Sequence, residues 1–198
     1  MIKNIVFDIG NVLLEFSPEK ILSEFPKEKR EELFQIIFNS EEWVMLDKGS
    51  INEKDAFENM CIKNPELRDD ILKIADTWID TLTPIKTNTE ALTELKKSGF
   101  NIFLLSNFHK KAFSEVYSKY DFFSYCDGKI ISYEHNLVKP SLEIYLLLIK
   151  KYGIIPQETL FIDDTQKNVE SALKINIKGL LYRKGCDIIE EVYKIRKR

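Results

Sequence analysis

Four polar clusters in this chain are of types that carry out chemistry, and each closes an apolar run or opens a helix. Asp8 ends the run Ile5-Val6-Phe7, with Gly10 two residues on. Ser106 and Asn107 follow Ile102-Phe103-Leu104-Leu105. Lys139 precedes Pro140, and the doublet Asp163-Asp164 ends Thr159-Leu160-Phe161-Ile162. A carboxylate at the end of a buried strand is placed either to attack an electrophile or to hold a metal ion, although a lone one also serves as a simple turn cap. Ser106 and Asn107 by themselves suit a helix N-cap, and Lys139 by itself a solvated lysine. Together they carry more weight, because burying so many charges side by side costs several kcal/mol unless a cation or an anion joins them.

The elements around these clusters decide whether they meet. From Thr83 onward strands and helices alternate, with strands near 102–105, 129–132, 159–162 and 179–182 and helices near 88–98, 110–120, 141–152, 165–175 and from 187. Asn88 is expected to cap the first of these helices and Gly99 to end it. Such alternation implies parallel pairing through right-handed crossovers, hence an α/β, Rossmann-like, doubly wound sheet. In such sheets the strand ends carrying the four clusters share one crevice. Between the first strand and this alternating region lie segments of helical periodicity, roughly 18–25, 27–39, 40–49, 52–63 and 65–82, which read as a small helical-bundle insertion. The expected division is therefore a core of residues 1–14 and 84–198 and a helical cap of residues 15–83. Its third segment carries Trp43, Val44 and Leu46, and Trp43 is read either as core or as facing a substrate.

Composition narrows the partners. The chain has 198 residues, a formal net charge of −3 and 31% charged residues, without a basic face for nucleic acid. The basic end, Lys194 to Arg198, reads as a solvated helix terminus. No membrane-spanning run or secretion signal is visible. Three cysteines without metal or redox spacing suggest a reduced, cytoplasmic setting. Only two histidines are present, so a divalent ion must be held by oxygen, which favours magnesium over zinc. His109 and His135 are expected at the surface, and Glu134 is expected to pair with Lys139.

The order Asp8-x-Gly10-Asn11-Val12, Leu105-Ser106-Asn107, Lys139-Pro140 and Phe161-Ile162-Asp163-Asp164, with Asn168 and Ala172 following, resembles the signature motifs of the haloacid dehalogenase-like hydrolase superfamily. The helical insertion is similar to that superfamily's type-one cap. Trp43, Leu46-Asp47, Gly49 and Lys139-Pro140 resemble its branch of sugar-phosphate phosphatases and epoxide hydrolase amino-terminal domains. The resemblance implies that Asp8 attacks phosphorus to form an aspartyl phosphate. It implies Mg2+ held by Asp8, the Gly10 carbonyl and Asp164, with Asp163 close by. Ser106 and the Asn107 amide would bind phosphoryl oxygens, Lys139 would neutralise charge, and Asn168 would support the metal's water. The expected substrate is a small phosphorylated metabolite, a sugar phosphate first, with selectivity from Trp43 and the Asp47-to-Gly49 turn.

Gly10 departs from the pattern, since many such phosphatases carry there a second aspartate that serves as general acid and base. Three other readings follow the same residues. Dehalogenase chemistry would need no metal, and the acidic doublet speaks against it. A signalling receiver domain has its acidic pair near the amino terminus, in a different order. A binding or regulatory protein without turnover draws its support from Gly10. Nothing in the sequence decides between monomer and homodimer.

Overall fold

The computed structural model describes residues 1–197, so Arg198, the last residue of the basic end, lies outside the described residues. Five parallel strands form one sheet in the order β3-β2-β1-β4-β5: β1 (Asn4–Phe7), β2 (Asn101–Ser106), β3 (Gly128–Ile131), β4 (Thr159–Asp163) and β5 (Lys178–Leu181). The four residues of β1 are buried without alternation, as expected of a strand covered on both faces. Phe7 pairs with Leu104 of β2 and with Ile162 of β4. One residue further along, Asp8 and Asp163 emerge side by side at the carboxyl edge. Because the strand order runs outward in both directions from β1, this edge is the switch point where open α/β sheets bind ligands.

Val6 packs on one face with Phe161 of β4 and with Ile144, Tyr145 and Leu148 of α8 (Leu142–Tyr152), while α9 (Gln166–Leu173) adds Ala172. Ile5 and Phe7 face the other way. There they join one continuous apolar cluster running through α6 (Lys86–Lys97), α7 (Lys110–Lys119) and α10 (Ile188–Lys197) into the helical segment that follows β1. That segment holds α1 (Pro18–Leu22), α2 (Lys27–Ile37), α3 (Glu41–Lys48), α4 (Glu53–Lys63) and α5 (Arg68–Thr77). Leu33, Ile37, Phe57, Met60, Ile71, Ile74 and Trp78 are among its buried side chains in the cluster. Among the described residues no helix is long and apolar enough to cross a membrane.

Two expectations need correction. The segment expected to run unbroken from 65 to 82 is a 3₁₀ turn at Pro65–Leu67, then α5, then a second 3₁₀ turn at Trp78–Thr81. The hydroxyls of Thr77 and Thr81 bond back to the carbonyls of Lys73 and Trp78, a local alternative that bends and ends helices. Asn88 is not a cap: α6 begins two residues earlier, and the buried Asn88 amide donates to the Val12 carbonyl at 2.6 Å, tying the turn after β1 to α6. On α3, Leu46 is buried and Val44 is exposed. Gly49 and Gly99 do end α3 and α6 in the left-handed conformation, with φ of 69° and 89°.

Candidate active site

Strand ends bring the charged residues together. The Lys139 ammonium lies 2.8 Å from Asp8 Oδ1 and donates to Asp163 Oδ2 at 2.7 Å. All three groups are buried. Asn107 clamps the backbone that carries the lysine: its side-chain oxygen accepts from the Lys139 N–H at 2.8 Å, and its amide donates to the Lys139 carbonyl at 3.1 Å. Asp163 accepts four hydrogen bonds from three partners, with Lys139 on one side, the Asn168 amide spanning both its oxygens at 3.0 and 3.1 Å, and the Thr165 N–H at 2.8 Å. Tyr145 secures Asn168 in turn by donating to its carbonyl at 2.9 Å. Asn168 therefore fixes the Asp163 carboxylate that accepts from the lysine.

Electrostatics show what this arrangement lacks. Burial pushes the Asp8 carboxyl up to about 7, Lys139 opposes the rise, the neighbouring Asp163 adds to it, and a Ser106 hydrogen bond lowers it again. Burial works against the Lys139 charge too, yet Asp8 and Asp163 outweigh it and hold the ammonium above its ordinary pKa. Asp8, Asp163 and Asp164 each offer a carboxylate oxygen, all within 4.8 Å of one another. Three acids against one ammonium leave the crevice with an excess of negative charge, and oxygen donors at this spacing suit a hard divalent cation. Both Asp163 oxygens are already engaged, whereas the half-buried Asp164 carboxylate accepts, among the described residues, only from the Thr165 hydroxyl, at 3.3 Å.

Ser106, Asn107 and Gly10 border the same edge. Ser106 is buried at the end of β2. Gly10 and Asn107 line a cavity of about 140 Å³ together with Trp43, Trp78, Asp47 and His109. Trp43 unites the two readings of it, because it packs edge-on against Phe38, Trp78 and His109 and also borders this cavity.

Two expectations fail here. Glu134 pairs with Lys129 at 2.7 Å and not with Lys139, which is buried between its two aspartates. His109 is buried, with its ring centroid 4.3 Å from that of Trp43, while His135 is partly exposed beside Glu134. Asp47 and His109 were both undervalued by sequence reasoning. Asp47 lies four residues after Trp43, and hence on the same helical face, and His109 follows the β2 loop directly, so both carried a positional signal.

A family model described as haloacid dehalogenase-like hydrolase matches residues 2–176. The chain is 28% identical to a D-ribitol-5-phosphate phosphatase of Bacteroides thetaiotaomicron over 208 residues, covering 97% of each. It is 28% identical over 184 residues to a sesquiterpene phosphatase of Aspergillus oryzae, covering 90% of this chain and 88% of the relative. The crystal structure of a HAD family enzyme from Bacteroides thetaiotaomicron, in its magnesium complex, aligns with a TM-score of 0.78 at 25% identity. That alignment covers 96% of this chain and 98% of the other.

Proposed function

The chain belongs to the haloacid dehalogenase-like hydrolase family, and from that premise we propose a phosphatase that hydrolyses a small phosphorylated metabolite, a sugar phosphate first, through an aspartyl phosphate on Asp8. The observation that carries this reading is the ammonium of Lys139 held between the Asp8 and Asp163 carboxylates at the switch point of the sheet. Asp8 attacks phosphorus and the ester oxygen leaves; water then attacks the same phosphorus, and the Asp8 carboxylate is released with inorganic phosphate. Lys139 offsets charge on Asp8 and the phosphoryl group, and Ser106 with the Asn107 N–H binds phosphoryl oxygens. Asp8, the Gly10 carbonyl and Asp164 would hold Mg2+, with Asp163 behind them; the ion supplies charge that lets an anionic nucleophile approach an anionic ester. Asn168 acts through Asp163.

Residues 15–83 form the cap in this reading, over a core of 1–14 and 84–198, and Trp43 contacts the substrate. A polyol phosphate and a sesquiterpene phosphate name the range set by the two relatives. The aromatic lining of the cavity suits the apolar face of a sugar or an isoprenoid carbon chain, whereas Asp47 and His109 suit hydroxyls.

Purified protein assayed with Mg2+ against a panel of phosphorylated metabolites tests the reading. Asp8→Asn should lower turnover by at least about 10⁴-fold while the circular dichroism spectrum is unchanged, and chelation should silence the wild type. Undiminished hydrolysis by Asp8→Asn excludes the covalent route, and a rate indifferent to chelation excludes the metal.

A further inference from the structure

Gly10 leaves the turn after Asp8 without a side chain, although there is room for one: a Cβ built there meets nothing within 4 Å. The cavity that Gly10 borders is also bordered by a carboxylate from a different part of the chain, Asp47 near the end of α3. Three contacts hold that helix end against the core. The Asp47 carbonyl accepts from Ser132 Oγ at 2.5 Å, and the Lys48 carbonyl accepts from the Asn136 amide at 2.8 Å. Gly49, in the left-handed conformation, sits so close to Tyr133 that a Cβ would come within 2.5 Å of the Tyr133 carbonyl oxygen.

Its backbone is fixed, but the Asp47 carboxylate is uncommitted. Among the described residues no hydrogen bond reaches it, and His109 Nε2 lies 3.5 Å from its Oδ1. His109 is 2% exposed, and neither of its ring nitrogens has a hydrogen-bond partner. Buried polar atoms without partners are rare and costly, so the two unpartnered His109 nitrogens beside a half-buried carboxylate on one cavity indicate a surface completed by a ligand.

We propose that Asp47 is the general acid and base of the two phosphoryl-transfer steps, supplying from α3 what Gly10 cannot, with His109 as the positioning residue that orients its carboxyl. This rests on the phosphatase reading above. In the first step Asp8 Oδ bonds to phosphorus as the ester P–O bond breaks, and the Asp47 carboxyl proton passes to the departing oxygen, giving a neutral alcohol. In the second, the Asp47 carboxylate takes a proton from the water whose oxygen bonds to phosphorus, the Asp8–phosphorus bond breaks with its electron pair returning to Asp8, and inorganic phosphate leaves. Asp47 ends protonated, ready for the next ester. Its surroundings suit both roles: burial, with Asp8 adding and Lys139 opposing, pushes the carboxyl up to about 7. Burial alone lowers His109 to about 3, so its ring is neutral and free to accept or donate one hydrogen bond.

Aryl phosphates of different leaving-group acidity test this with Asp47→Asn. Dinitrophenolate departs without a proton, whereas phenolate departs slowly without one. With dinitrophenyl phosphate the variant should therefore show a burst of one dinitrophenolate per site followed by slow turnover, because only the second step still needs the base. With phenyl phosphate, phosphorylation itself should fall by about 10²–10⁴-fold. In the wild type that phosphorylation rate should decline as pH rises through about 7, and the decline should vanish in Asp47→Asn. His109→Phe should move its midpoint; an unmoved midpoint removes His109 from the scheme. Adding Gly10→Asp to Asp47→Asn should restore phenyl phosphate turnover. Equal slowing of both esters, or none, overturns the role of Asp47. Asp8→Asn run alongside separates the failures: if it is inactive while Asp47→Asn resembles the wild type, only this inference falls.

Discussion

The two sides of the crevice are built on opposite principles. At the strand ends Lys139 and Asp163 are satisfied within the protein: Lys139 has two carboxylates and the Asn107 clamp, and Asp163 accepts from Lys139, Asn168 and Thr165. Across from them, among aromatic rings, the buried His109 and the half-buried Asp47 border the cavity with polar atoms unspent. A satisfied network holds its own geometry, so it can be organised before any substrate arrives. An unsatisfied one costs stability in the free protein and is compensated when a ligand supplies the missing partners. Damage to the first side should therefore lower stability and activity together, and damage to the second should separate them.

Lys139→Ala should give the largest combined loss. Removing one member of a buried ionic network strands its partners, at about 3–5 kcal/mol, and a urea titration in the presence of a chelator measures it. A loss below about 1 kcal/mol would mean that the network is not integral to the fold. Asn168→Ala comes next, at about 1–3 kcal/mol, since it leaves Asp163 short of two hydrogen bonds; activity should fall through a loosened Lys139. On the other side Asp47→Asn should raise stability. The folded-state pKa of Asp47 lies above its ordinary value of 3.8, at about 7, so the stability it contributes at acid pH is lost as pH climbs through 7. The variant should accordingly outlast the wild type in urea at pH 8, with the gap narrowing toward pH 4; a less stable variant at pH 8 would show the carboxylate to be well paired. Glu134→Gln is the smallest change, within about 0.5 kcal/mol, because its partner Lys129 lies outside the crevice and such pairs contribute little.

The same contrast explains what was legible beforehand. Asp8, Ser106, Lys139 and Asp163 sit where apolar runs stop or a helix opens, and in a parallel sheet that local fact implies a shared edge, so their meeting followed from alternation alone. Asp47 and His109 meet through the packing of α3 on the loop after β3, a contact spanning 85 residues between Asp47 and Ser132. No local periodicity records that. His109 was read as a surface residue for the same reason, since its burial comes from Trp43 and Trp78, both supplied by the helical segment. Asn88 misled in the opposite sense: an asparagine at a helix start suits a cap locally, and only the turn after β1 gives its amide a buried carbonyl instead.

Gly49 and Tyr133 touch closely enough that the segment bearing Asp47 cannot ride higher without breaking the grip of Ser132 and Asn136 as well. A side chain at position 49 would press on Tyr133 and tilt the end of α3, moving the Asp47 carboxylate off the cavity it borders. One missing Cβ thus decides where a carboxylate from the helical segment stands.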